Sequence, residues 1–316
     1  MNDVIPTKDQ LLAAMDRVKP HVHRTPVLTS KSINEISGAE IYFKCDNFQR
    51  MGAFKMRGAV NAILSLPKVA LEKGVATHSS GNFAQALALS ARSLGVQATV
   101  VMPENAPDIK KRAVAGYGAK IVISGSSPIE REQKLDEVVA ATGATFIHPS
   151  NDTNVILGNS TATQELIEQA PHLDYVLAPV GGGGLVAGTA LAVHYLSPGT
   201  SVIGAEPAQA DDAYRSLQTG VIQPSINPNT IADGLRTFLG DRNFPIIQQM
   251  VERIILVEEQ EIIDAMRLVW ERMKIVVEPS ATVTVGAVLK EPDTFRGKKI
   301  GIIICGGNVD VENLPF

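Results

Sequence analysis

The stretch "PVGGGGLVAGTALA", residues 179–192, decides how this chain is read. It follows "YVLA" (175–178), an apolar run of strand length, and it closes in small, helix-compatible residues. Strand, glycine turn and helix start therefore follow one another without a charged side chain. Four consecutive glycines leave the backbone without a preferred shape unless a ligand restores one. Backbone N–H groups in such a turn, at the positive end of a helix dipole, suit a phosphate. The charge-free run from Tyr175 to Val193 is long enough to span a membrane, but its glycines and Pro179 make it a poor hydrophobic helix.

Working outward, the same unit recurs. Strand-like runs are "EIYFKC", "GVATHS", "QATVVM", "AKIVIS", "ATFIH", "YVLAPV", "TSVIGAE" and "KIGIIIC". Segments of helical spacing, such as "KDQLLAAMDRV", "NFAQALALSARSLG" and "NSTATQELIEQA", lie before or between them. Repeated βα alternation with uninterrupted apolar strands predicts an α/β fold with parallel sheet covered on both faces. Ligands in such sheets collect at the C-terminal ends of strands. "HSSGNFAQ", "PVGGGGLVAG", "EPAQADD" and "CGGNVD" each follow a strand-like run and fit that placement.

The bulk numbers narrow the partners. The 316 residues are 45% hydrophobic and 20% charged, ordinary for a packed globular protein. Lys plus Arg total 29 against 33 Asp plus Glu, with no basic run, which argues against a nucleic-acid surface. Two cysteines make no disulfide framework, and "MNDVIPTKDQ" has no basic-then-apolar signal pattern, so a soluble cytoplasmic protein is expected.

Two motifs then compete. Gly182, Gly184 and Ala187 satisfy G-x-G-x-x-A, and Glu206 stands where a ribose-binding acid belongs, so this window alone supports a nicotinamide dehydrogenase. That reading leaves "NFQRMGAFKMRGAVNAI" (47–63) unused. Lys55 sits there between Phe54 and Met56 with Ala53, Gly58 and Ala59 nearby, and an apolar setting keeps part of a lysine neutral and nucleophilic toward an aldehyde. A phosphate loop together with an aldehyde-reactive lysine points to pyridoxal phosphate.

With these motifs in hand, the sequence resembles the fold-type II pyridoxal-phosphate enzymes, in the branch of serine/threonine dehydratases, serine racemase and threo-3-hydroxyaspartate dehydratase. The match runs from "HRTPVLTS" through "GAFKMRGA", "THSSGN", "PVGGGGLVAG", "EPAQADD" and "TIADGLR" to "CGGNVD". The resemblance implies a tryptophan-synthase-β-like architecture of two open, parallel-rich sheets with the cofactor between domains. The large domain would be 1–72 and 152–316, and the small, substrate-closing domain 73–151. It assigns Lys55 to the covalent link with pyridoxal 5'-phosphate, Phe54 to the cofactor's surroundings, and Gly181, Gly182, Gly183, Gly184 and Leu185 to the phosphate. Asn82 would bond the ring oxygen, and Cys305 would lie beside the ring nitrogen. Ser79, Ser80, Asn82 and the Phe83 amide would hold the substrate carboxylate, with Ser80 across the ring from Lys55. Glu206, Asp212 and the carbonyl of Ala210 match a site for Mg²⁺, Ca²⁺ or Mn²⁺.

The chain departs from the family in places that bear on substrate. Phe83 stands where His is frequent, "GNST" (158–161) where many relatives have "GQGT", Ser150 where Asn is common, and Cys305 where Ser is commoner. Arg131 aligns with a family arginine that reaches substrate carboxylates, and "MGAFK" looks like the hydroxyaspartate dehydratases. The implied activity is dehydration and deamination of a 3-hydroxy amino acid, threo-3-hydroxyaspartate ahead of L-serine or L-threonine, with racemisation the alternative. A small amino-acid substrate and a second copy of the chain in a homodimer are the expected partners.

Overall fold

The computed structural model describes residues 5–316, so the first four residues of "MNDVIPTKDQ" lie outside it. Its strands are β1 Val27–Leu28, β2 Glu40–Cys45, β3 Val75–His78, β4 Ala98–Pro103, β5 Lys120–Ser124, β6 Thr145–Phe146, β7 Tyr175–Pro179, β8 Ser201–Pro207, β9 Arg253–Val257 and β10 Lys299–Ile304. Every apolar run singled out above becomes one of them. The exceptions run the other way: β1 and β9 were not foreseen. β9 is "RIILV", an apolar stretch too short for periodicity to separate strand from helix. β1 is a two-residue edge.

Two sheets result among the described residues. The larger has the order β1-β2-β10-β7-β8-β9 and is parallel except for β1, which runs antiparallel to β2. Its centre is closed by the two ends of the chain, since β2 pairs with β10 from Glu40↔Lys299 to Cys45↔Ile304. The smaller sheet, β5-β4-β3-β6, is all parallel and uses strands from 75 to 146 only.

Burial explains the composition of these strands. Ile41, Phe43, Val176, Leu177, Ile203 and Ile302 join one core around the larger sheet, and Val75, Val100, Met102, Phe83 and Leu87 join another around the smaller. Ala59, Ala62 and Ile63, from the helix Lys55–Leu64, pack into that second core. The helix that opens at Lys55 therefore packs into the core of the small sheet's layer, against the helices Asn82–Ser93 and Thr153–Gln169, although it precedes residue 73. Consequently the reactive-lysine segment lies where the two packed layers meet. No helix among the described residues is long and apolar enough to cross a membrane; the run 175–193 is instead β7, the glycine turn and the helix Gly184–Leu196.

Candidate active site

Lys55 is held by backbone docking. Ala53 bridges Gly306, and the Phe54 N–H donates to the Cys305 carbonyl at 2.9 Å, tying the start of the helix to the end of β10. The lysine amine donates to the carbonyl of Pro149 at 2.9 Å and lies 4.9 Å from the Phe54 ring centroid and 5.8 Å from that of Phe83. Part of the side chain reaches solvent, but the amine itself is surrounded by protein. Desolvation lowers its pKa to about 8; Cys305 and Glu278 pull the other way only in their ionised forms. An amine in that range is partly neutral near pH 7, as a nucleophile or base requires.

The glycine turn is built for close approach. A Cβ on Gly181 would lie 2.7 Å from Leu235 Cα, one on Gly182 would lie 2.4 Å from Ser150 Oγ, and one on Gly184 would lie 2.8 Å from the Ser150 carbonyl. Gly183 has φ +77°, a left-handed conformation that suits glycine. Among the described residues the N–H groups of Gly181, Gly182 and Gly183 donate to no protein acceptor. Free amides at the start of the helix Gly184–Leu196 fit an anionic phosphate.

A second helix start faces the same region. Gly81 is the N-cap of the helix Asn82–Ser93 and no side chain caps it, so "HSSGN" does not spend its hydroxyls on helix capping. Ser79 Oγ instead accepts from the Gly81 N–H at 3.3 Å. The Asn82 amide donates to both oxygens of Glu278, at 3.0 and 3.1 Å, and Cys305 Sγ lies 4.0 Å from Glu278 Oε1. Burial pushes the Cys305 thiol well above its ordinary pKa, and Glu278 adds to this. The protein thus holds Cys305 as a thiol, which removes the thiolate that its acidity relative to serine would otherwise allow.

Arg131 lies on the helix Pro128–Thr142. A helix arginine ordinarily pairs with a neighbouring acid, here Glu130. Glu130 is occupied elsewhere: its carboxylate takes the N–H and hydroxyl of Ser127 in a capping box. Arg131 Nε is buried with no hydrogen-bond partner. After burial, its charge is the second reason that the pKa of His78, the residue before Ser79, falls to about 4.

Glu206 and Asp212 come together at the end of β8. Glu206 accepts the N–H groups of Ala213 at 2.9 Å and Tyr214 at 2.8 Å. Both oxygens of Asp212 are buried without a hydrogen-bond partner; Ser225 lowers its pKa somewhat through its hydroxyl, though no well-formed bond joins them. Burial and then mutual repulsion raise Glu206 well above the carboxylate range, and burial lifts Asp212 to about 7. Among the described residues no group of three or more His, Cys, Asp or Glu side chains could hold a metal. This pair offers two carboxylates, so any further ligand must come from elsewhere, such as the Ala210 carbonyl.

Three site residues escaped the sequence reading. Glu278 precedes Pro279 and looks like the start of a helix, nothing more. Asn243 clamps the glycine turn, donating to the Gly182 carbonyl at 2.8 Å while its Oδ1 accepts from Gly240 N–H at 3.1 Å. His148 accepts the N–H groups of Ser150 and Asn151, at 3.1 and 2.8 Å, shaping the loop that meets both Lys55 and the glycines.

An enclosed lysine amine, a loop of free glycine amides and two parallel-rich sheets define a fold-type II pyridoxal-phosphate enzyme, and these residues fit that cofactor's aldehyde and phosphate. The chain belongs to the family described as "Pyridoxal-phosphate dependent enzyme", whose profile matches residues 18–306. It is 48% identical over 312 residues to the β-hydroxyaspartate dehydratase of Paracoccus denitrificans, covering 99% of each. It is 46% identical over 310 residues to the L-threo-3-hydroxyaspartate ammonia-lyase of Saccharomyces cerevisiae, covering 98% of this chain and 95% of that one. The crystal structure of serine racemase from Dictyostelium discoideum superposes with a TM-score of 0.94 at 47% identity, covering 98% of this chain and all of that one. The nicotinamide alternative falls with this membership, and Glu206, bonded to Ala213 and Tyr214, is not an open ribose acceptor.

Proposed function

We propose that this chain is an ammonia-lyase that dehydrates a 3-hydroxy amino acid, threo-3-hydroxyaspartate ahead of L-serine or L-threonine. Identities of 48% and 47% to a dehydratase and a racemase do not separate the two activities, so the choice rests on side chains. Arg131 carries it. A buried guanidinium N–H without an acceptor, close enough to His78 to depress its pKa, is suited to a carboxylate arriving beside Ser79. A substrate with a second carboxylate supplies one.

Bound pyridoxal phosphate supplies an electron sink for the bond broken at Cα. The chain supplies the rest. Gly181–Gly184 and Leu185 hold the phosphate, Asn82 the ring oxygen, and Ser79, Ser80, Asn82 and the Phe83 N–H the substrate α-carboxylate. Lys55 takes the Cα proton, its amine kept partly neutral by burial. The β-hydroxyl leaves as water, and the freed enamine tautomerises and hydrolyses to a 2-oxo acid and ammonia. Ser80 on the opposite face is the proton donor that racemisation would need. At Glu206, Asp212 and the Ala210 carbonyl we place Mg²⁺ or a similar hard cation, because two buried acids with raised pKa are relieved by a divalent charge.

The test is ammonia release from threo-3-hydroxyaspartate, L-serine and L-threonine by wild type and Arg131→Ala. Loss of one charged contact costs about 1.5–3 kcal/mol, so kcat/KM on hydroxyaspartate should fall roughly ten- to a hundredfold. Activity on serine should change far less. Equal losses on both, or D-serine forming faster than ammonia, would overturn the assignment.

A further inference from the structure

Glu278 is a buried carboxylate that the reaction above leaves without a role. It precedes the helix Pro279–Lys290, is 4% exposed, and meets groups from two other segments. Asn82 Nδ2 donates to Oε1 at 3.0 Å and Oε2 at 3.1 Å, the Asn308 N–H donates to Oε2 at 3.1 Å, and Cys305 Sγ lies 4.0 Å from Oε1. Gly306 makes room for it, since a Cβ there would sit 2.7 Å from Glu278 Oε1.

The side chain of Asn308 fixes which way these groups point. Its Nδ2 donates to the Met51 carbonyl at 2.9 Å and to Asn82 Oδ1 at 2.9 Å. A carbonyl only accepts, so Asn308 must present its NH₂ there, and Asn82 must present its oxygen to Asn308 and its NH₂ to Glu278. Glu278 therefore faces donors alone, which the ionised form suits. Burial opposes that form and lifts the pKa to about 7; the Asn82 bond resists, Asp233 from the segment after β8 adds to the rise, and the Asn308 bond and Lys110 from the helix Asp108–Gly116 resist. Lys55, from the helix it opens, is the other nearby cation. The fold keeps an acid where a neutral amide would be cheaper to bury.

We propose that Glu278 is a positioning residue, whose carboxylate turns the Asn82 amide and the Cys305 thiol toward the edges of the cofactor ring. The proposal rests on the reading of this site as a pyridoxal-phosphate site. It is tested by a double-mutant cycle on cofactor affinity, titrating apoprotein with pyridoxal phosphate and following absorbance. Glu278→Gln should weaken binding about tenfold or more, as expected for a charge-assisted contact. Asn82→Ala should do the same, and the double variant should be no weaker than Asn82→Ala alone, within about twofold.

A structural role is separated by thermal melting of the apoprotein. With its folded pKa of about 7 above the ordinary 4.5, Glu278 gives up stability as pH rises through that window. Removing the acid should leave Tm at pH 8 unchanged or higher, with the advantage gone at pH 4. Multiplicative losses in the cycle, wild-type affinity in Glu278→Gln, or a lower Tm with unchanged affinity would overturn the proposal. If Glu278→Gln does not fold, Glu278→Asp, which keeps the charge but draws it back from the Asn82 amide, replaces it in the cycle, with the same expected and overturning affinities. Wild-type protein that takes up no pyridoxal phosphate overturns the site reading itself, a failure distinct from an additive cycle.

Discussion

Lys55 and Arg57 stand two residues apart at the start of one helix, both enclosed by protein, and they differ in what surrounds them. Arg57 is saturated. Its Nε donates to Asp46 Oδ2 at 2.6 Å, and Nη2 to Asp46 Oδ1 and Glu165 Oε2, each at 2.9 Å. Nη1 reaches Glu165 Oε1 at 2.8 Å, and Lys44 completes the cluster by donating to Glu165 Oε2 at 2.6 Å. Two cations and two carboxylates thus balance in a site closed to water. Lys55 has one carbonyl acceptor and no carboxylate within salt-bridge distance among the described residues. Burial acts on both; paired carboxylates hold the guanidinium charged, while the amine drifts toward neutrality. The difference separates a charge that anchors the helix from one kept reactive on it.

Removing each cation should break the comparison in opposite ways. Lys55→Ala should lower kcat by about 10³-fold or more, since nucleophile and base are lost together, whereas Tm should hold or rise because a poorly paired amine is gone. A Tm drop without loss of turnover would reverse the roles. Arg57→Met should do the converse: Asp46 and Glu165 remain buried with too little positive charge, and urea unfolding should show a loss of about 3–5 kcal/mol. Any folded fraction should still capture pyridoxal phosphate at Lys55.

The acid pair at β8 is the third case, a charge excess with no salt bridge to either acid among the described residues, the nearby Arg215 being paired with Asp211 instead. Asp212 has a folded pKa near 7 against an ordinary 3.8, so it binds its proton more tightly when folded. Stability contributed by that proton is full below about 4 and lost as pH rises through 7. Protein stripped with EDTA should therefore melt lower at pH 8 than at pH 6, by roughly 1–3 kcal/mol of stability, and Mg²⁺ should restore it at pH 8. Asp212→Asn should flatten both the pH response and the Mg²⁺ response. A melting temperature indifferent to EDTA at every pH would remove the cation.

This contrast also marks what a sequence can disclose. Lys55 was legible because its small, apolar neighbours are contiguous with it, and the glycine turn because its four residues are consecutive. Strands of the larger sheet were legible as apolar runs, although nothing local says that β2 pairs with β10. Arg57 was not singled out, since Asp46, Glu165 and Lys44 converge on it from separate elements. Glu278 was hidden for the same reason: Asn82 and Asn308 reach it from distant segments. Chemistry written in one segment can be read; chemistry assembled from several needs the fold.

Cys305 should give the smallest effect and the finest test of the comparison. Like Lys55 it is buried beside Glu278, but burial moves a thiol the other way, disfavouring its anion and keeping the proton. A neutral thiol can neither pair with a protonated ring nitrogen as a carboxylate would nor neutralise Lys55. Serine is also neutral, small and able to donate to Glu278, so Cys305→Ser exchanges one weak donor for a better one. The change should be worth about 1 kcal/mol or less, which is about fivefold or less in kcat/KM, with ammonia release still ahead of racemisation. The pH at which apoprotein captures pyridoxal half-maximally should stay near 8, because the lysine's shift comes first from desolvation, which serine leaves in place. If Cys305→Ser instead moves that midpoint by a full unit, the sulfur is a thiolate paired with Lys55. The amine would then be a saturated cation like Arg57, and the distinction between the two residues would fail.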